Sequence, residues 1–141
     1  MTTKIPDWLY ERLKAQTGLR CGYCRTSAKI TGHRLTIEHI IQLVRGGPSD
    51  EDNLWLSCRN CNEYKGAQVD AIDPITNQRA PLFNPRKQIW REHFTWSADS
   101  ETIIGLTPTG RATVMALKLN HPEIMEARKR WVSVGWHPPR D

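Results

Sequence analysis

The stretch LTIEHIIQLVRGGPSDEDNLWLSCRNCNEYKG, Leu35 to Gly66, holds a Glu-His pair, a Gly-Gly turn, an Asn before an apolar run and a Cys-x-x-Cys-Asn. Its opening, RLTIEHII over residues 34 to 41, is rich in β-branched residues and predicts a strand. Gly46-Gly47-Pro48 then breaks the chain, and Asn53 to Ser57, NLWLS, predicts a second short strand returning along the first. After Cys58 the pattern RNCNEYKG suits a short helix closed by Gly66. The local order is a ββα unit.

Cysteines flank this unit. Cys21-x2-Cys24 and Cys58-x2-Cys61 form two pairs with 33 residues between them. Two residues between cysteines let both sulfurs of a knuckle reach one tetrahedral Zn(II), and two knuckles complete a four-thiolate site. The gap exceeds the roughly 15 to 20 residues of a simple ribbon, so the hairpin must be inserted between the knuckles. Two disulfides or four free thiols are the alternatives; a reducing compartment favours the metal. A four-thiolate site has no open coordination position, so this zinc would be structural.

Glu38-His39, Gly46-Gly47, Asn53-Leu54 and Cys58-x2-Cys61-Asn62, with Lys65 three residues on, resemble the motif of the HNH endonucleases in its four-cysteine form. The resemblance covers roughly residues 20 to 66, about a third of the chain. It implies a ββα-metal fold and divalent-metal-dependent cleavage of phosphodiesters. It also implies roles: His39 as general base, Glu38 and Asn62 as ligands of the catalytic ion, and Asn53 as a brace of the loop. Three positions depart from the family's pattern. Asn62 stands where the third letter of the name would be His, Glu38 where Asp is frequent, and Gln42 where Pro is common.

The implied chemistry is self-consistent. Phosphodiester hydrolysis needs a deprotonated water and a cation to neutralise the developing charge. A neutral imidazole is suited to take the proton near pH 7. A carboxylate and an amide oxygen are hard donors that suit Mg(II) or Mn(II). Neighbours on a regular strand face opposite ways, so Glu38 and His39 sharing one site requires a bend or bulge at the strand end.

Around this core the sequence predicts a helix from Pro6 to about Gln16, stopped by Gly18, with Leu9 and Leu13 sharing a face with Trp8. Residues 67 to 85 read as an ordered loop anchored by Leu82 and Phe83. FTWS and TIIGL predict a hairpin across ADSE. A helix follows from Thr107-Pro108 to about Asn120 with Val114, Met115 and Leu117 inward, and another from about Pro122 to Val134. The expected fold class is α+β: a zinc-braced ββα-metal core with an N-terminal helix and a C-terminal hairpin plus helices. The 141 residues are read as one domain, with the nuclease core at about 20–66 and an extension at about 67–141.

The net charge of +5 and pI of 9.2 favour a polyanionic partner. DNA is the expected substrate and RNA the other polyanion of the same chemistry. Lys65, Arg59 and Arg45 are the candidate phosphate contacts, Lys65 first because it lies one turn after Asn62. Arg128, Lys129 and Arg130 could extend a basic track. The six Trp are assigned to packing, His33 reads as a surface or loop residue in preference to an extra metal ligand, and His93, His121 and His137 have no partner pattern. Without a leader-like or spanning apolar run, the chain reads as cytoplasmic and off the membrane. The expectation is an HNH endonuclease with structural Zn(II) and catalytic Mg(II) or Mn(II). A non-catalytic zinc-braced nucleic-acid-binding module is the alternative.

Overall fold

The computed structural model describes residues 5–140, which divide into two compact units. Unit 1 takes the chain up to Val69 together with Asn84–Lys87. Unit 2 takes Asp70–Phe83 and the chain from Gln88 onward.

Unit 1 begins with α1 (Asp7–Thr17), which follows Pro6 and ends at Gly18 in the left-handed conformation that glycine adopts without penalty. Leu9 and Leu13 are buried, each stabilising by about 1.5–3 kcal/mol through burial. Trp8 is exposed, contrary to its expected place on that face, because the stripe is completed by Tyr10 and Thr17 instead. The Tyr10 hydroxyl donates to the Leu35 carbonyl at 2.8 Å and ties α1 to the start of the hairpin.

A short helix α2 (Ala28–Thr31), capped by the Ser27 hydroxyl, leads to the hairpin of β1 (Thr36–His39) and β2 (Leu54–Ser57). The strands pair antiparallel in a one-to-one register, Thr36 opposite Ser57, Glu38 opposite Trp55 and His39 opposite Leu54. Leu54 and Leu56 are fully buried on the inner face. The helix α3 (Arg59–Lys65) follows at once, its first turn capped by the Cys58 sulfur. The expected ββα order is therefore what forms. The segment 84–87 also belongs to this unit: the Arg86 guanidinium donates to the Leu54 carbonyl and the Gln16 side chain, both at 3.0 Å, and lies over the Trp55 ring.

Unit 2 opens with a hairpin, β3 (Asp70–Ile72) and β4 (Arg79–Pro81), in the region expected to be an irregular loop. Three-residue strands give too little alternation to read from sequence. The intervening turn is built on Asp73, whose carboxylate accepts from the Ile75 N–H and the Thr76 hydroxyl. Leu82 and Phe83 are buried, as expected. A short helix α4 (Trp90–His93) enters the expected hairpin, β5 (Phe94–Trp96) with β6 (Ile103–Gly105).

Two helices complete the unit, α5 (Pro108–Ala116), capped by Thr107, and α6 (Pro122–Ser133), capped by His121. Leu117 is buried, whereas Met115 is 59% exposed, because Ala112 and Thr113 line the inner face of α5. Arg128 is 1% exposed and binds the carbonyls of Glu101 and Leu119 and the Asn120 side chain, so it is a structural residue and not part of a basic surface track. Trp90, Trp96, Phe94 and Phe83 form a chain of ring contacts, as the packing role implies; Trp136 is exposed. Among the described residues no helix is long and apolar enough to cross a membrane.

Candidate metal centre and nuclease site

The knuckle 21–24 and the start of α3 bring four sulfurs together. The ligand atoms of Cys21, Cys24, Cys58 and Cys61 all lie within 4.8 Å of one another, and the Cys24 and Cys58 sulfurs are 3.7 Å apart. Tetrahedral Zn(II) with Zn–S bonds of ~2.3 Å needs sulfurs about 3.8 Å apart, so the cluster fits that ion. The four cysteines are free, which removes the disulfide alternative. Backbone N–H groups of Tyr23 and Cys61 point at the sulfurs of Cys21 and Cys58, each at 3.4 Å. Hydrogen bonds from the neighbouring sulfurs pull the Cys24 thiol well below its ordinary range, while burial pushes Cys21 well above it. Metal binding needs all four sulfurs as thiolates, so loading the site releases protons.

Asn53 sits at the hairpin's open end. Its Oδ1 accepts from the Ile41 N–H at 2.9 Å, and its Nδ2 donates to the carbonyls of Ile41 at 2.9 Å and Pro48 at 2.8 Å. One side chain thus holds both arms of the loop that leaves β1. The two glycines serve this closure differently. Gly46 has φ +82°, whereas Gly47 packs so tightly that a Cβ there would lie 1.8 Å from the Ile41 carbonyl oxygen.

His39 is half-buried at the end of β1, one ring nitrogen, Nε2, 3.1 Å from the Ser49 hydroxyl. Burial, and then the nearby charge of Lys65, lower its pKa from 6.5. The imidazole is therefore mainly neutral at pH 7, the form a general base requires.

Glu38 does not share that face. With the regular register there is no bulge inside β1, and alternation sends the two side chains to opposite faces of the hairpin, Glu38 to the face of Ser57 and His39 to the face of Leu54. The chain bends at Ile40 and Ile41, directly after the strand, so the expected bend at the strand end forms just past His39. Glu38 is fully buried, its carboxylate 2.8 Å from the Lys65 ammonium and 3.4 Å from the Ser57 hydroxyl, with Tyr23 against it. Burial raises its pKa, and Lys65 partly offsets the rise.

Lys65, expected to contact phosphate, is 2% exposed and donates to the Ile40 carbonyl at 2.8 Å besides pairing with Glu38. Arg59 and Arg45 are exposed, Arg59 being paired with Glu63 one turn on at 3.0 Å. Asn62 is half-buried on α3, and its side-chain amide makes no hydrogen bond to the described residues. Its backbone N–H bonds the carbonyl of Cys58 at 3.0 Å, so the cysteine cluster helps set its position.

Sequence reasoning missed Ser49, Tyr23 and Ser57 as partners of the two key side chains. A Ser in a loop and a Tyr inside a knuckle carry no spacing signal; only the register reveals them. Comparisons with curated proteins and with solved structures return no match. Residues 21–68, the segment that carries both cysteine pairs, the Glu-His pair, Asn53 and Asn62, match the model of the HNH endonuclease family, over about a third of the chain.

Proposed function

We propose that unit 1 hydrolyses phosphodiester bonds of DNA with the help of a divalent cation, His39 taking the proton of the attacking water. The observation that carries this reading is His39 itself. It is a half-buried imidazole kept neutral by burial and by Lys65, oriented by Ser49 and mounted at the rim of a loop locked by Asn53. Positioned acid–base help of this kind is typically worth ~10² to 10⁴ in rate.

Asn62, whose amide is uncommitted and whose helix is anchored by Cys58 and Cys61, offers the hard oxygen expected of a Mg(II) or Mn(II) ligand. When bound, such an ion supplies charge neutralisation at the phosphate. Arg45 and Arg59 are exposed and can steer the backbone without reading its sequence.

The second reading, a zinc-braced nucleic-acid-binding module without catalysis, is favoured by one fact: the Glu38 carboxylate is engaged with Lys65 and not displayed. Plasmid cleavage with Mg(II), Mn(II) or EDTA separates the two. Wild type should convert supercoiled plasmid with a divalent ion and not with EDTA, and His39→Ala should lose that activity. If wild type leaves plasmid and single strands intact with every metal, the binding module replaces the nuclease.

A further inference from the structure

We infer that the buried Glu38–Lys65 pair is a positioning device for the His39 end of β1 and for α3, and that Glu38 lies outside the ligand set of the catalytic ion. This rests on the nuclease reading of His39 and Asn62.

Both charges are inside the protein, with side-chain exposures of 0% for Glu38 and 2% for Lys65, and their closest atoms are 2.8 Å apart. Two buried ions at this distance are tolerable only while each keeps the other, because an unpaired charge in a desolvated site is strongly destabilising. Glu38 could turn toward an external cation only by abandoning Lys65 in that interior. The strand would also have to rotate, since the regular register aims neighbouring side chains at opposite faces.

What the pair does instead follows from the ammonium's second bond. Lys65 Nζ donates to the Ile40 carbonyl at 2.8 Å, and the Ile40 N–H donates to the Asn53 carbonyl at 2.9 Å. The residue after His39 is therefore held on both sides of its backbone, from α3 and from the start of β2. Lys65 lies one turn after Asn62, so a single side chain ties the helix carrying Asn62 to the strand end carrying His39. Glu38 supplies the counter-charge that keeps that ammonium in place, assisted by Ser57 and Tyr23.

The test compares wild type with Glu38→Gln, Lys65→Met and the double variant, all as the zinc-loaded full chain. Melting temperature, Mn(II) binding by electron paramagnetic resonance, and plasmid cleavage at saturating Mn(II) are measured. Each single variant should melt earlier and cleave about ten-fold more slowly, whereas the double variant, with no buried charge left unpaired, should recover to within about three-fold of wild type. Half-saturation by Mn(II) should stay within about three-fold of wild type in all of them.

The inference is overturned if Glu38→Gln and the double variant both lose ~10-fold or more in Mn(II) affinity, as removal of an ion ligand would cause. Should the double variant fail to fold, Lys65→Met decides. Tighter Mn(II) binding with undiminished cleavage would mean a released Glu38 ligates the ion, and unchanged binding with slower cleavage would mean it only positions. A wild type that binds Mn(II) but cleaves nothing sinks the nuclease reading alone, while the binding and melting comparisons still decide the place of Glu38.

Discussion

The two units solve the same problem of a small core with different devices. Unit 1 gathers four cysteines around one point and packs a four-residue-strand hairpin and a seven-residue helix beside it. Unit 2 has no cysteine and closes its short strands with partly buried side-chain hydrogen bonds and with rings. There Arg111 grips Asp73 with two bonds of 2.8 and 2.9 Å, Asn120 bonds both the N–H and the carbonyl of Ile103, and Arg128 secures three acceptors. A metal supplies stability at a point and leaves the surface free to carry chemistry. A polar network distributes stability and consumes the side chains that make it.

The largest test of this difference is metal removal. Cys58→Ser, or a chelator, should abolish zinc content and unfold unit 1, since structural zinc in small peptides contributes roughly 10 to 16 kcal/mol. Hydrogen exchange read by mass spectrometry should then rise across residues 5–69 and stay low in the hairpins and helices of unit 2. Equal exposure of both units would show that the second depends on the first.

Next comes the chemistry that unit 1 alone is expected to carry. His39→Ala should slow plasmid cleavage by about 10² to 10⁴ with zinc content intact. Because burial and Lys65 lower the pKa of His39 from 6.5, the acid limb of the rate profile should fall below that value. The stability linked to this group has the same sign: it is present above pH 6.5 and lost as pH falls through the lowered folded value, since the unfolded chain then binds the proton more readily. An acid limb at or above 6.5 would contradict the placement of the imidazole.

Asn53→Ala removes three hydrogen bonds and leaves the Ile41 and Pro48 groups to find water, for an expected loss of about 2–3 kcal/mol in a urea melt. A loss under about 0.5 kcal/mol would mean the loop is not braced there. The smallest effect should come from unit 2. Asp73→Asn keeps an acceptor for Ile75 but loses the charge facing Arg111, so unit 2 should melt earlier at neutral pH. The hydrogen bonds from Arg111 hold the Asp73 carboxyl far below the usual carboxylate range, so its contribution is present above about pH 3.8 and lost as acid protonates it. The Asn variant should therefore approach wild-type stability only in strong acid.

Much of unit 1 was legible because its signals are local. Helix stops at Gly18 and Gly66, the Gly46-Gly47 turn, β-branched runs and the two Cys-x-x-Cys pairs each act within a few residues, and α1, the hairpin and α3 appear within a residue or two of where they were read. Unit 2 was legible in its longer pieces, α6 and the Phe94–Gly105 hairpin. The β3–β4 hairpin was not, because its order comes from Arg111, far along the chain, reaching the turn at Asp73. Charged residues were read least well. Lys65, Arg128 and Glu38 look like surface or site residues in any local window, and all three are buried.

By itself the sequence determined the ββα order and the four-sulfur cluster, because spacing along the chain suffices to place residues that belong to one turn or one knuckle. Only the tertiary structure decided which way the Glu-His pair divides. Strand register sends Glu38 and His39 to opposite faces of the hairpin, and a lysine 27 positions beyond Glu38 turns that carboxylate into half of an ion pair. Side-chain direction is set by pairing with a partner strand and helix, and no short stretch of chain contains its own partner.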